Sequence, residues 1–408
     1  MKTPRTTLGQ RKLNNYVDEG MYAEGTLALI LRLCICAGVG PLRASRARDG
    51  WRFHVSTPLA VLQVVACTVI NFIMLIGVIL DFHQPPGKRI RTGETVLQAF
   101  IWVSDVVLVM VIASLVIYRG PAQMKSLQRV LNQLQQIQFD LSINGPPTKT
   151  EKIKSLAMVI MLMWMMSVMM TDFVLHTMRS RSREGSMWTI MLFYGVYYFA
   201  DLQGALAVVK WACTALAVNE GATALNCHLQ RLLHGSQFLA LPSQAETLIR
   251  RLALSHERIS DVMRQMSDTN GLFLMIVLMS TFLRLVLTPY CMLIERPNSE
   301  VFGVTLSLFW SLVHVTILIL TIEPCHWTHI QRQNTAILLG QLIVHLAPKC
   351  ERLSKELDQF TKQLMLGDAK FDTLGVYTLD RQLMATILGG VTTYLVIIIQ
   401  FQTISTQI

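Results

Sequence analysis

Apolar and polar residues along this chain segregate into long blocks. Seven apolar stretches stand out, at 56–80, 95–117, 154–177, 188–211, 270–294, 301–322 and 380–402. A helix needs about 20 such residues to cross a bilayer's hydrocarbon core, so the pattern predicts an all-α polytopic membrane protein with seven transmembrane helices. An eighth run, LALILRLCICAGVG at 27–40, is shorter and contains Arg32, which fits a re-entrant or interfacial helix. Four regions are expected: a cytoplasmic N-terminal segment at 1–55, spans 1–6 with helical extensions at 56–323, anchor helices at 324–379, and the last span with its outer end at 380–408.

The polar blocks are also patterned. In 213–264, Leu216, Leu225, Leu229, Leu232 and Leu233 recur among polar residues, with a break at Pro242. In ERLSKELDQFTKQLML, Leu353, Leu357, Phe360 and Leu364 follow helical spacing, giving one apolar stripe that needs a protein partner. A neighbouring subunit is the expected partner. FDTLGVYTLD then returns to the membrane, with a turn expected at Gly375.

Composition agrees with the membrane reading: the chain is 52% hydrophobic and only 15% charged, where soluble domains carry roughly a quarter charged residues. The net charge of +10 sits in alternate loops and not on one surface, which argues against nucleic acid as a partner. With the N-terminus inside, inner segments hold 26 Lys and Arg residues and outer segments seven. That split predicts a cytoplasmic N-terminus and an extracellular C-terminus, the reverse of a G-protein-coupled receptor. The first 26 residues are polar and precede no A-x-A site, so no signal peptide is expected. Of the eight cysteines only Cys291 falls near the expected outer surface, which disfavours an extracellular disulfide framework.

Candidate chemistry is sparse. The methionines between Met158 and Met170 read as flexible packing. CHWTH at 325–329 lacks a second Cys/His cluster and reads as packing or interfacial anchoring. Nucleophile-elbow, P-loop, zincin and dinucleotide-binding patterns do not occur. Neither an enzyme nor a cofactor or metal site is expected.

Polar residues inside the spans are more informative, because buried charge in a membrane usually faces a bundle interior or wet cavity. Span 2 aligns Gln98, Trp102 and Asp105; span 3 offers Asp172 and His176; span 4 aligns Tyr194, Tyr197, Tyr198 and Asp201. Span 5 adds Ser280, Arg284 and Cys291, and span 6 adds Ser307, Trp310 and His314. Such groups can merely satisfy one another, with Arg284 paired to Asp105, Asp172 or Asp201. Their shared depth and aromatic character instead fit a small-molecule pocket, with Trp102, Asp105, Asp172, Tyr194, Tyr198, Asp201, Arg284 and Trp310 as binding residues. Lys210, at the inner end of span 4, reads as a snorkelling anchor.

In span 7, Thr386, Thr393 and Gln400 recur every seven residues, with Ile397 close to the same face. A single copy of this stripe is a packing seam; several copies around one axis make a pore with hydroxyl rings, an Ile constriction and an amide mouth.

TTYLVIIIQF at 392–401 resembles the signature that ends insect gustatory receptors. YTLDRQLMATILGG before it resembles that family's lead into its last helix, and ALAVNE with LN at 215–226 resembles its long fourth helix. The resemblance implies a tetrameric ligand-gated cation channel related to insect odorant receptors, its pore built by the seventh helix. It places Gln400 and Phe401 at the gate, with Thr393 and Tyr394 below. The implied partners are a small-molecule tastant, monovalent and divalent cations, membrane lipid, and either identical or related subunits, at the plasma membrane of sensory neurons. The tastant class stays open between bitter, sugar and other compounds. Two further readings are a seven-helix receptor acting on cytosolic partners and a secondary transporter.

Overall fold

The computed structural model of the protein describes residues 20–46, 50–85, 89, 96–141, 149–181, 187–234, 242–294, 301–346, 351–367 and 369–405. Among these, seven helices are long and apolar enough to cross a membrane. They are α2 (Thr57–His83), α3 (Val96–Tyr118), α5 (Lys149–Arg181), α6 (Met187–His234), α7 (Pro242–Ile294), α8 (Val301–Leu346) and α10 (Arg381–Ser405).

Three of these far exceed the membrane. At 1.5 Å per residue, the 48 residues of α6, 53 of α7 and 46 of α8 each extend about 70–80 Å, against a hydrocarbon core of about 30 Å. Their apolar halves are the C-terminal half of α7 and the N-terminal halves of α6 and α8, so all three polar halves project at the same end. Helix α4 (Gly120–Asp140) and helix α9 (Glu351–Leu366) pack onto this extended end. Helix α6 is the spine: more than half of its spanning window is buried, and its largest contact is with α8.

The apolar stripe of α9 is covered by its own subunit, contrary to the expectation from sequence. Leu353, Leu357 and Phe360 are all buried, and α9 packs on α7 and α8. Phe360 lies 5.7 Å from the ring of His256 on α7. Two hydrogen bonds from Arg250 hold the Glu356 carboxyl below its usual range, but both groups are near the surface, where such pairs contribute little. Burial of the stripe, not the ion pair, docks the helix.

The first described segment departs from the expected lone helix. Strands β1 (Met21–Ala23), β2 (Leu42–Arg46) and β3 (Trp51–Val55) form an antiparallel sheet in the order β1-β3-β2, beside α1 (Gly25–Cys36). Met21, Leu42 and Phe53 are buried, and the Arg32 guanidinium stacks 4.3 Å from the Trp51 ring. Helix α1 buries Ala28, Ile30, Leu31 and Cys34 and packs on α6. Carbonyls in the turn after α1 accept hydrogen bonds from the spanning helices: Gln203 donates to Ala37 at 2.8 Å and Gln63 to Gly40 at 3.1 Å. Each bond satisfies a backbone group that burial would otherwise leave unpaired.

Between α9 and α10, strands β4 (Asp372–Thr373) and β5 (Tyr377–Thr378) pair antiparallel. Leu374 and Gly375 at the tip take positive φ, 59° and 72°; the glycine adopts it without a Cβ penalty, as its expected turn role requires. Asp380 then caps α10, its carboxylate accepting the Leu383 N–H at 2.9 Å.

The covered stripe has a direct consequence. Phe360→Ala should cost about 3–5 kcal/mol and lower the melting temperature of the detergent-solubilised protein, read by fluorescence-detected size exclusion. A variant that melts like wild type yet runs as dissociated subunits would return α9 to the role of an intersubunit contact.

Candidate functional site

The charged residues of the spanning helices meet around Arg284 on α7. Its Nε donates to Asp105 on α3 at 2.7 Å, and Nη1 donates to Asp201 on α6 at 3.0 Å. Tyr197 on α6 donates to the other oxygen of Asp105. Three helices are thus tied at one guanidinium, whose fork of donors suits two carboxylates.

Asp172 on α5 belongs to a separate network, which settles the pairing that sequence left open. Its carboxylate accepts hydrogen bonds from Tyr198 on α6 and, at 3.0 Å, from the Trp310 indole on α8. His176, one turn along α5, lies 3.3 Å from its second oxygen and stacks on Tyr194 at 5.8 Å. Edge-to-face contact between Tyr197 and Tyr198, 5.3 Å apart, joins the two networks. Trp102 lies 5.0 Å from Tyr197 and completes the aromatic layer. All eight expected binding residues therefore belong to one connected layer across five helices, although they also satisfy much of one another's polarity.

Adjoining Arg284 is a cavity of about 30 Å³, lined from α3, α5, α6, α7 and α8. Asp201 and Arg284 are its only lining residues among the eight; Ser280 and His314 line it too. Its apolar wall was not legible from sequence. Ile112, Val208 and Val277 look like any other span residue, and Met165 and Met169 lay within the run assigned to packing. Lys210 corrects another expectation: it is buried, with no hydrogen-bond partner for Nζ among the described residues, and so does not snorkel.

Helix α10 stands apart as the least buried of the spanning helices. It touches α7 through Val391, Leu395 and Ile398, which cluster with Phe282, Leu285 and Val286. Phe282 fits against Gly390, where an added Cβ would stand 3.2 Å from the ring, and meets Tyr394 edge-on at 5.9 Å. At the other end of α10, Arg381 makes a two-pronged ion pair with Glu323 on α8, at 2.8 and 3.0 Å. At 100° per residue, Thr386, Thr393, Ile397 and Gln400 lie opposite the Val391 seam, and all four are exposed. The Thr386 and Thr393 hydroxyls donate to carbonyls one turn back, at 2.9 Å each. Phe401 is on the last turn of α10, and its side chain lies outside the described residues.

Residues 27–404 match the profile of the seven-transmembrane chemosensory receptors. The chain belongs to that family. Curated relatives include the Drosophila melanogaster gustatory receptor for sugar taste 43a, 29% identical over 40% of this chain and 39% of that protein. Putative gustatory receptor 2a from the same organism is 25% identical over 36% of this chain and 40% of its own length. The matched stretches span about two fifths of each relative. Named gustatory receptors are thus among the proteins this chain is similar to. Among solved structures, the insect olfactory receptor OR5 from Machilis hrabei superposes with a TM-score of 0.65 at 12% identity, covering 97% of this chain and 99% of that one. Its complex with eugenol gives 0.63 at 12% identity, with 96% and 99% covered. At that identity the match establishes a shared fold.

For the receptor, the Arg284 junction predicts an asymmetry between removing one partner and removing all. Arg284→Leu removes the counter-charge of Asp105 and Asp201 and should abolish surface expression, since breaking a buried pair costs about 3–5 kcal/mol. Combining it with Asp105→Asn and Asp201→Asn should restore part of that expression. Surface labelling in cells measures both; normal expression of Arg284→Leu alone would show that the junction does not hold the bundle.

Proposed function

We propose that the protein is a gustatory receptor acting as a ligand-gated, non-selective cation channel. A small-molecule tastant binds in the layer around Arg284, and α10 helices from four subunits, identical or related, surround a central pore. The observation that carries this reading is the stripe on α10. Thr386, Thr393, Ile397 and Gln400 turn away from the seam that holds the helix to its own subunit, and a polar stripe on an exposed spanning helix is costly against lipid. Other subunits around a water-filled axis resolve that cost. Alternate hydroxyl and amide rings can then assist hydrated cations, while Ile397 forms an apolar constriction.

The ligand side has support of a different kind. Aromatic walls with a few polar groups are the usual lining of small-molecule sites, and five helices supply them here. One relative carries sugar taste in its name and another is called gustatory and pheromone receptor 32a; the structurally similar olfactory receptor was solved with eugenol. The charge bias between alternate loops supports a cytoplasmic N-terminus with the far end of α10 outside. A plasma-membrane location in sensory neurons follows from the proposed role.

Two variants test the pore. Gln400→Cys should become open to block by a water-soluble thiol reagent applied outside, and Gln400→Ala should alter resting current or ion selectivity while leaving agonist affinity close to wild type. Indifference of current to the reagent, with and without agonist, together with normal conduction in the alanine variant, would remove Gln400 from the pore.

Pocket and pore should also separate genetically. Trp310→Ala should raise the agonist concentration needed for current at normal surface expression. Gly390→Ala pushes on Phe282 and should change the maximal open fraction instead. Whole-cell dose-response curves distinguish the two; unchanged curves in both variants would place the ligand elsewhere.

A further inference from the structure

Two residues that line the cavity beside Arg284 each carry a buried polar atom with no hydrogen-bond partner among the described residues. The guanidinium spends Nε and Nη1 on its two aspartates, but Nη2 has no hydrogen-bond partner among the described residues. Across α8, His314 Nδ1 is likewise unpartnered. Arg284 is 9% exposed and His314 3%, so neither atom has bulk water to turn to, and both residues line the same cavity. The His314 ring is held by stacking on Trp310 at 5.7 Å. An unsatisfied buried polar atom calls for an explanation, and a water or ligand in the adjoining cavity is one.

We propose that this cavity selects small neutral molecules bearing one or two oxygen acceptors on a mostly hydrocarbon frame, such as ketones and esters, over carboxylates and polyols. The inference deepens the ligand-binding reading above and rests on it. A guanidinium only donates, so Nη2 requires an acceptor; the imidazole nitrogen takes either role according to its tautomer. The Thr281 hydroxyl already donates to Val277 at 2.8 Å, so it has no hydrogen left to offer a ligand. Most of the remaining lining is aliphatic or thioether: Ile112, Met165, Met169, Val277, Val313 and Ile317. Asp201 and Ser280 could serve one hydroxyl more, which leaves most of a hexose facing hydrocarbon, and each unpaired hydroxyl is unfavourable there. Anions meet a local excess of carboxylate, since Asp105 and Asp201 outnumber Arg284.

Size sharpens the argument. A space of about 30 Å³ holds one or two waters, so a ligand must displace them and widen the site. Met165 and Met169 are suited to yield, being unbranched and rotationally free. The selectivity proposed here departs from the sugar in one relative's name, and that makes it open to refutation.

The test uses purified full-length receptor in detergent and the matched probes 2-heptanone, methyl hexanoate, heptane, heptanoate and fructose. Binding is read as a saturable change in intrinsic tryptophan fluorescence, and activation as whole-cell current. The ketone and ester should bind saturably and heptane, heptanoate and fructose should not. His314→Phe keeps the ring and its stacking but loses the nitrogen, and should weaken ketone binding by about tenfold, the loss of one buried hydrogen bond; His314→Gln should recover part of it. Absence of saturable ketone and ester binding overturns the proposal, as does binding by fructose or heptanoate, or ketone affinity indifferent to His314→Phe. The channel reading fails separately: ketone binding without current would sink the channel and leave the selectivity standing, whereas current evoked by fructose alone would do the reverse.

Discussion

A guanidinium cannot be left bare inside a membrane, and the upper architecture of this receptor follows from how Arg284 is accommodated. A charge at the hydrocarbon level costs several kcal/mol unless it is paired. Arg284 therefore needs carboxylates, and these come from α3 and α6 at 2.7 and 3.0 Å. The resulting junction leaves one negative charge in excess, which Tyr197 stabilises by donating to Asp105. Tyr198 performs the same service for Asp172 on the neighbouring network. Adjacent tyrosines on one helix thus serve two carboxylates on two others. The aromatic layer is in this sense a consequence of the charges, because phenol and indole groups bring donors to a carboxylate while presenting hydrocarbon to everything else.

The same economy bears on the proposed role of the site as a binding layer. A network that is fully satisfied is rigid and has little to offer a ligand. Here most donors and acceptors are matched, yet among the described residues Arg284 Nη2 and His314 Nδ1 are not, and both residues border a space lined mostly by aliphatic and methionine side chains. In the proposed receptor, the bundle keeps its charges paired for stability and leaves two donors or acceptors of the lining residues for recognition.

How far this could be read from sequence depends on whether the property was local. Span positions were legible because hydropathy is summed along the chain, and α6 and α7 continue spans whose polar block at 213–264 already showed helical spacing, whereas α8 runs unbroken to Leu346 through residues assigned to separate anchor helices. The stripe of α9 was legible as a stripe, but periodicity says that a face is apolar and not what covers it; α7 and α8 cover it within the subunit. Arg284 was recognisable as needing a partner, while the choice among three aspartates depends on packing that no spacing encodes. Lys210 was misplaced for a related reason. Snorkelling assumes a surface position, whereas α1 and the turn after it cover this side of α6. The small sheet escaped because LRASR and WRFHV are five residues each, too short to stand out beside twenty-residue apolar runs.

The relation between the cavity and α10 is a matter of helical geometry on α7. Thr281 and Arg284 face the cavity; Phe282 lies between them in sequence but about 100° round the helix from Thr281, and it is wedged against Gly390 and Tyr394 of α10. In the proposed channel, a ligand that engages Arg284 Nη2 would pull on one face of α7, and the helix is stiff enough over a single turn to carry that displacement to the other face. Gly390 has no side chain to absorb it. Arg381 holds the opposite end of α10 to α8 through Glu323, so a push at Phe282 acts on a helix anchored at one end and tilts it about that anchor. In the proposed channel the tilt is largest at the free end, where Ile397 and Gln400 lie, and a constriction there widens most for a given movement at the ligand site.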